Sequence, residues 1–126
     1  MSDHQLTLAT LLSIKTRRER GVRSAMARLE QQRVQLEQHK AALLQARRQL
    51  WHQWRQCGSN EQVLNPIEWR SYRLQLANYY QQDHDLLAQV EATGEEFIRL
   101  QVEIEEQQDL LRQILLEQEK LKILLE

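Results

Sequence analysis

Apolar residues recur at a seven-residue spacing along the first half of the chain. The a positions of this heptad are Leu8, Lys15, Val22, Leu29, Leu36, Leu43, Leu50 and Cys57, so that only one of them is charged. The d positions are weaker, and they are Leu11, Arg18, Ala25, Gln32, His39, Ala46 and Gln53. A heptad held over this length predicts a long coiled-coil helix.

The second half of the chain carries a heptad of its own. Its a positions are Trp69, Leu76, Asp83, Val90, Phe97, Ile104, Leu111, Gln118 and Leu125. Its d positions are Tyr72, Tyr79, Leu86, Thr93, Leu100, Gln107, Ile114 and Leu121. No β-branched run alternates at period two, so the pattern favours a second helix over any strand.

Between the two heptads lies one short stretch of turn residues. Gly58 follows the last periodic residue of the first half, at a position where glycine commonly ends a helix. Asn65, Pro66 and Glu68 then form the signature of a helix start, with an N-cap, a proline at N1 and a capping-box glutamate. The sequence therefore predicts one helix over about 3–57, a turn over 58–65 and a second helix over about 66–125.

Folding the second helix back on the first predicts an antiparallel pairing of layers. When paired residue numbers sum to 122, Leu50 meets Tyr72 and Leu36 meets Leu86. The same register brings His39 to Asp83 as a polar layer that would specify the register. We therefore expect an all-α protein, a single domain over 1–126, in which two long helices form an antiparallel coiled-coil hairpin, or rod.

Charge is divided between the two halves. Residues 1–57 hold eleven basic and four acidic residues, a net charge of +7, whereas the rest of the chain holds six basic and fourteen acidic residues, a net charge of −8. Opposite halves attract in a hairpin, while two parallel identical chains would place like charge on like. The acidic helix and the overall charge of −1 also argue against nucleic acid as a partner.

Catalytic and metal-binding patterns are missing from the sequence. The chain has no Gly-rich phosphate loop, and its four histidines show no pair at metal-ligand spacing with a third ligand. We expect no enzyme activity, no cofactor and no metal. The single cysteine, Cys57, favours a reducing compartment, and the absence of a signal peptide or membrane span predicts a cytoplasmic protein.

Each end of the predicted rod carries residues that a two-helix seam cannot bury. At the end with the two termini these are the apolar Leu115, Leu116, Ile123 and Leu124 and the basic Lys15, Arg17, Arg18 and Arg20. At the turn end lies an aromatic cluster that falls partly outside the seam, Trp51 especially, and it includes Trp51, Trp54, Trp69 and Tyr80. Both sets are candidate partner-binding surfaces. The basic residues have an equally weighted alternative as a solvated face paired with acids. Seam packing is the favoured interpretation for Trp69 and an equal alternative for Trp51 and Trp54.

The opening Leu11-Leu12-Ser13-Ile14-Lys15-Thr16-Arg17-Arg18-Glu19-Arg20, followed by two helices of nearly equal length, resembles the YscO/FliJ/HrpO family. These are small cytoplasmic stalk proteins of type III secretion and flagellar export. The resemblance implies a rod whose paired termini enter the pore of a hexameric export ATPase, while its turn end faces the export gate at the inner membrane. It also implies escort of substrate chaperones, a role in virulence-type secretion, and a monomer in isolation. The alternatives are a generic coiled-coil scaffold, a homodimeric adaptor and a small secretion chaperone.

Overall fold

A computed structural model describes residues 2–58 and 65–126 as two α-helices that pack against each other. Helix α1 spans Asp3–Gly58 and helix α2 spans Pro66–Leu125, against predicted bounds of 3–57 and 66–125. No strand occurs in the described residues, so the predicted all-α helical hairpin is confirmed. Residues 59–64 of the predicted turn lie outside the described part of the chain.

The start of α2 is held by the predicted capping box. The Glu68 backbone N–H donates to Asn65 Oδ1 at 2.8 Å, and the Asn65 N–H donates to Glu68 Oε2 at 3.1 Å. These two bonds satisfy backbone donors that the helix itself leaves unpaired. At the start of α1, the Gln5 N–H donates to Ser2 Oγ at 3.3 Å, which is a simpler cap of the same kind.

The two helices divide along their length into two compact units. Unit 1 comprises Met1–Val34 with Ile98–Glu126, and unit 2 comprises Gln35–Phe97. In each unit the two helical segments run antiparallel around an apolar seam. Unit 1 buries Val22, Leu29, Leu100 and Ile114, and unit 2 buries Leu43 and Leu50.

The predicted seam of α2 is confirmed at almost every position. Its a and d residues from Tyr72 to Leu125 are all buried or half-buried. The polar d residue Thr93 is among the most buried, and its hydroxyl donates to the Val90 carbonyl at 2.6 Å. The exception is Trp69, an a position whose side chain remains 51% exposed.

The predicted seam of α1 is only half right. Its a positions are buried or half-buried as expected, but its d positions are exposed, with Ala25 as the exception. The seam is completed instead by the e positions Leu12, Glu19, Met26, Arg33, Lys40 and Arg47, all half-buried. Four of these six are charged residues with long side chains. Their aliphatic stems pack at the seam while their charged ends reach its edge, which a simple division into apolar and polar residues overlooks.

The predicted register is also wrong. Lys15 contacts Glu117 in unit 1, while in unit 2 Arg47 contacts Asp83 and Cys57 Sγ donates to Gln75 Oε1. Paired numbers in these contacts sum to 130–132 rather than 122. The shift of about ten residues corresponds to about 15 Å along a helix.

The predicted His39–Asp83 layer does not form. His39 is exposed on α1, and the carboxylate of Asp83 is hydrogen-bonded to Arg47 and Trp51. The reason is the exchange of d for e positions in the α1 seam. Arg47, an e residue, supplies a guanidinium that matches the carboxylate better than an imidazole from the exposed side of α1.

The new register leaves the first turns of α2 without a facing segment of α1. Because Cys57 lies beside Gln75 and α1 ends at Gly58, residues 66–74 of α2 precede the level at which the paired region begins. Trp69, the a position in this segment, is accordingly exposed. The ring of Trp69 packs against that of Tyr72, with centroids 6.0 Å apart, rather than into the seam.

Candidate partner-binding surfaces

The basic residues predicted near the termini have three different environments. Lys15 is half-buried and its ammonium group is paired with Glu117. Arg18 is exposed on the flank of unit 1 near the same glutamate, whereas Arg17 and Arg20 are exposed on the outer face of α1. They precede Val22 by five and two residues, which turns them away from the seam. Arg17 and Arg20 therefore face solvent, away from Glu117, and make no ion pair within the described residues.

The Lys15–Glu117 pair dominates the local electrostatics. The hydrogen bond from Lys15 lowers the pKa of Glu117, partial burial opposes this, and the charge of Arg18 adds to the lowering. One turn of α1 further on, a hydrogen bond from Arg23 likewise lowers the pKa of Glu19. These pairs lie at the edge of the seam, where water screens them and their contribution to stability is small.

The apolar residues predicted near the C-terminus are all exposed. Leu116 and Ile123 are 64% and 60% exposed, and Leu124 and Leu115 are exposed as well. Leu116 follows the buried Ile114 by two residues and Ile123 follows it by nine, so both point away from the seam. No other described side chain covers this surface.

The basic and apolar residues do not form one patch. Arg17 and Arg20 lie on the outer face of α1, and Leu116 and Ile123 lie on the outer face of α2, so the two sets point in opposite directions. Only Arg18 and Leu124 lie toward the same flank of unit 1. A partner that contacts both sets must therefore surround this end of the hairpin.

Besides Leu116 and Ile123, the outer face of α2 contains three exposed apolar residues that the sequence analysis did not select as sites, namely Ile67, Leu74 and Val102. Ile67, Leu74, Val102, Leu116 and Ile123 are all exposed and all occupy the f position of the α2 heptad. In a two-helix coiled coil the f position points away from the partner helix and is usually polar. Reading the f positions of the heptad would have identified these residues from the sequence.

The four aromatic residues predicted near the turn differ in how firmly they are held. Trp51 is half-exposed, and its indole N–H donates to Asp83 Oδ1 at 2.7 Å. The guanidinium carbon of Arg47 lies 4.9 Å from the centroid of the Trp51 ring, within cation–π range. Trp54 and Tyr80 are exposed and make no hydrogen bond within the described residues. Trp54 is about as exposed as Trp51, so what distinguishes Trp54 and Tyr80 from Trp51 is that no hydrogen bond within the described residues holds them.

Asp83 of α2 connects to Arg47 and Trp51 of α1 across the seam of unit 2. Arg47 Nε donates to Asp83 Oδ1 at 2.7 Å, and the same oxygen accepts from Trp51. The hydrogen bond from Arg47 is the main reason that the pKa of Asp83 is lowered. Partial burial opposes this lowering, and the hydrogen bond from Trp51 adds a smaller lowering of the same pKa. The same pairing raises the pKa of Arg47.

Residues 2–58 and 65–126 contain neither a metal site nor a membrane-spanning segment. No group of three or more His, Cys, Asp or Glu side chains is placed to hold a metal ion. Neither α1 nor α2 contains a segment long and apolar enough to cross a membrane.

The fold defines the chain as a two-helix antiparallel coiled-coil hairpin with exposed apolar residues on the outer face of α2. Comparisons with protein-family models, with curated proteins and with solved structures find no match to it. The function of the protein must therefore be inferred from the surfaces described above.

Proposed function

We propose that this protein is the central stalk of a type III secretion export ATPase, and that it couples the hexameric ATPase to the export gate. In this proposal the paired termini bind in the ATPase pore and the turn end contacts the gate protein. The protein would work in the cytoplasm beside an inner-membrane secretion apparatus. Escort of substrate chaperones would be an additional role of the same chain.

The observation that supports this proposal best is the exposed apolar surface beside the C-terminus. Leu116 and Ile123 lie on the outer face of α2, and Arg17 and Arg20 lie on the opposite outer face of α1. A partner that surrounds the hairpin can contact both faces at once, and the pore of a ring-shaped hexamer has that geometry. Exposed apolar patches with a polar surround are typical of protein-interaction sites.

The first test is binding of the purified chain to its cognate secretion ATPase hexamer. The double variant Leu116→Ser/Ile123→Ser should weaken binding at least tenfold, because it removes the apolar contact surface without touching the seam. Leu74→Ser is the matched control, since Leu74 is an exposed f-position leucine in unit 2. It should leave ATPase binding unchanged. Circular dichroism must show each variant to be as helical as the wild type.

A second test concerns charge. Arg17→Glu/Arg20→Glu should weaken ATPase binding mostly at low salt, since exposed charges steer association and are screened at high ionic strength. Trp54→Ala/Tyr80→Ala should leave ATPase binding intact and reduce secretion through loss of the gate contact.

The outcomes show which end of the hairpin binds the ATPase, and they distinguish the stalk from the alternative functions. Loss of ATPase binding in the Trp54/Tyr80 variant, with normal binding in the terminal variants, would mean that the turn end enters the ATPase. If all variants bind and secrete normally, a generic coiled-coil scaffold or homodimeric adaptor is the better account. Co-purification of a secreted substrate instead of an ATPase would favour the small-chaperone alternative.

A further inference from the structure

One flank of unit 1 contains a groove between α1 and α2. It consists of two cavities of about 380 Å³ and 530 Å³ that share Gln107. The first is lined by Gly21 and Leu110 among others, and the second by Ala25. No atom of a neighbouring side chain or of α2 lies within 4 Å of a Cβ built on Gly21, so the groove is open at this point.

The groove follows a regular row of residues on each helix. On α1 the row is Arg18, Gly21, Ala25, Arg28 and Gln32, and on α2 it is Glu103, Glu106, Leu110, Gln113 and Glu117. Both rows advance by alternating steps of three and four residues, which keeps each row on one face of its helix. Each row covers 15 residues, and its first and last residues are about 21 Å apart along the helix.

Both rows continue toward the termini with exposed apolar residues. The same spacing adds Ile14 and Leu11 to the α1 row, and Lys120 and Leu124 to the α2 row. Leu11, Ile14 and Leu124 are exposed, as Leu110 is within the groove. Each helix therefore carries a second heptad-spaced row beside the seam. The α1 row has four apolar or small residues, Leu11, Ile14, Gly21 and Ala25, and the α2 row has two, Leu110 and Leu124.

The two rims of the groove carry opposite charge. Arg18 and Arg28 stand on the α1 rim, and Glu103 and Glu106 stand on the α2 rim. None of these four side chains makes an ion pair within the described residues, although Lys15 and Glu117 pair across one end. The rim charges are thus available to an occupant of the groove.

We infer that this groove binds one amphipathic α-helix of a partner protein, which would complete a three-helix coiled coil over about four turns. The occupant has an apolar face toward Gly21, Ala25 and Leu110, an acidic edge toward α1 and a basic edge toward α2. A helix fits because the two rows repeat at the heptad spacing that a third helix shares. The inference is independent of the proposed stalk function, because the groove lies beside the seam and not on the outer faces.

A second copy of this chain is a poorer occupant than a different protein. The groove requires one helix with both an acidic and a basic edge. Residues 1–57, which include α1, hold eleven basic and only four acidic residues, and α2 is predominantly acidic. Neither helix of a second copy therefore matches both rims.

Three synthetic peptides test the inference on the isolated full-length chain. Each has about three heptads with the same Leu/Ala apolar face, and they differ only in their edges, which are Glu and Lys, Lys and Lys, or Glu and Glu. In fluorescence anisotropy the Glu/Lys peptide should bind several-fold more tightly than the other two. The Lys/Lys peptide places like charge beside the basic α1 rim, and the Glu/Glu peptide places like charge beside the acidic α2 rim. The preference should weaken as salt is raised.

Charge reversal on one rim should change the preference in a defined way. In Arg18→Glu/Arg28→Glu both rims are acidic, so the Lys/Lys peptide should become the tightest binder. The matched control is Arg17→Glu/Arg20→Glu, which makes the same change of charge on the outer face of α1. This control should keep the Glu/Lys preference of the wild type.

Filling the groove should weaken binding of all three peptides. Ala25→Trp places a large side chain in the groove, and Ala27→Trp places the same side chain at an exposed position of α1 outside it. Gly21→Trp is a second filling variant, useful if Ala25→Trp loses helicity, because the space around Gly21 is open. Only the groove variants should lower affinity, by tenfold or more.

Three results would overturn the inference. One is equal affinity of the wild type for all three peptides. Another is an equal loss of affinity in folded Ala25→Trp or Gly21→Trp and in Ala27→Trp. The third is a wild-type dimer in sedimentation that the groove variants convert to a monomer, which would identify a second copy as the occupant.

Discussion

Arg47 Nε donates a hydrogen bond to Asp83 Oδ1 at 2.7 Å and so joins α1 to α2 in the middle of unit 2. Asp83 occupies a seam position of α2, and Arg47 occupies the α1 position whose aliphatic stem completes the seam. Trp51, one turn further along α1, donates to the same carboxylate oxygen. A carboxylate in the seam is tolerated only when it is paired, so this contact favours one alignment of the two helices over shifted ones.

The alignment can be tested with the native cysteine. Gln75→Cys places a second thiol beside Cys57, which already contacts Gln75 at 3.3 Å. A short bismaleimide reagent should link the two within one chain, and Ser71→Cys, one helical turn away, should link more slowly. Mass spectrometry of the monomer band measures both. Products that join two chains, or faster linking at position 71, would contradict the register.

Trp51 and Trp54 should differ in their effect on stability although both are about 40% exposed. Trp51→Phe keeps a large ring and removes the indole N–H that donates to Asp83, so the free energy of unfolding should fall by about 1 kcal/mol. Trp54→Phe removes no such bond and should change the free energy of unfolding by less than about 0.5 kcal/mol. Urea unfolding followed by circular dichroism measures the difference. Equal effects would mean that the Trp51–Asp83 bond contributes nothing to stability.

Asp83 should make the protein more sensitive to acid. Its pKa in the folded chain is lowered from the ordinary value of 3.8, chiefly by Arg47, so its contribution to stability is fully present above about pH 4. That contribution is lost as pH falls through the lower, folded pKa. The difference in melting temperature between wild type and Asp83→Asn should therefore shrink between pH 7 and pH 2.5. Asp85→Asn, which removes an exposed carboxylate bonded only to Gln81 within the described residues, is the matched control for the loss of one negative charge.

Substitutions of Ile114 and Ile123 should differ in their effect on stability, because Ile114 lies in the seam and Ile123 lies on the outer face of α2. Ile114 is 3% exposed, and Ile114→Ala should lower the free energy of unfolding by about 2–4 kcal/mol through lost burial and a cavity. Ile123 is 60% exposed, and Ile123→Ala should change it by less than about 0.5 kcal/mol. Thermal and urea unfolding provide the comparison. A large loss for Ile123→Ala would show that its side chain is covered in the free protein, and would weaken the case for a partner surface there.

The two helices, their ends and one of the two seam faces could be predicted from the sequence. The Asn65–Glu68 capping box depends on residues three apart in the chain, so it could be identified without any knowledge of tertiary contacts. The α2 seam was also identifiable, because its a and d positions are both mostly apolar and only one face of the helix fits them. The exposed Leu116 and Ile123 followed from the same heptad.

The second row of the α1 seam and the register depend on contacts between the two helices, so they could not be predicted from the sequence. The apolar a positions of α1 are compatible with a seam completed on either side, by the small and polar d residues or by the long e residues. The e side forms the seam because the aliphatic stems of Lys40 and Arg47 pack there. Their charged groups reach Phe97 and Asp83 on α2. Those stabilising groups belong to the other helix, so the periodicity of α1 contains no information about them. The exposed d side of α1 then became one wall of the groove in unit 1.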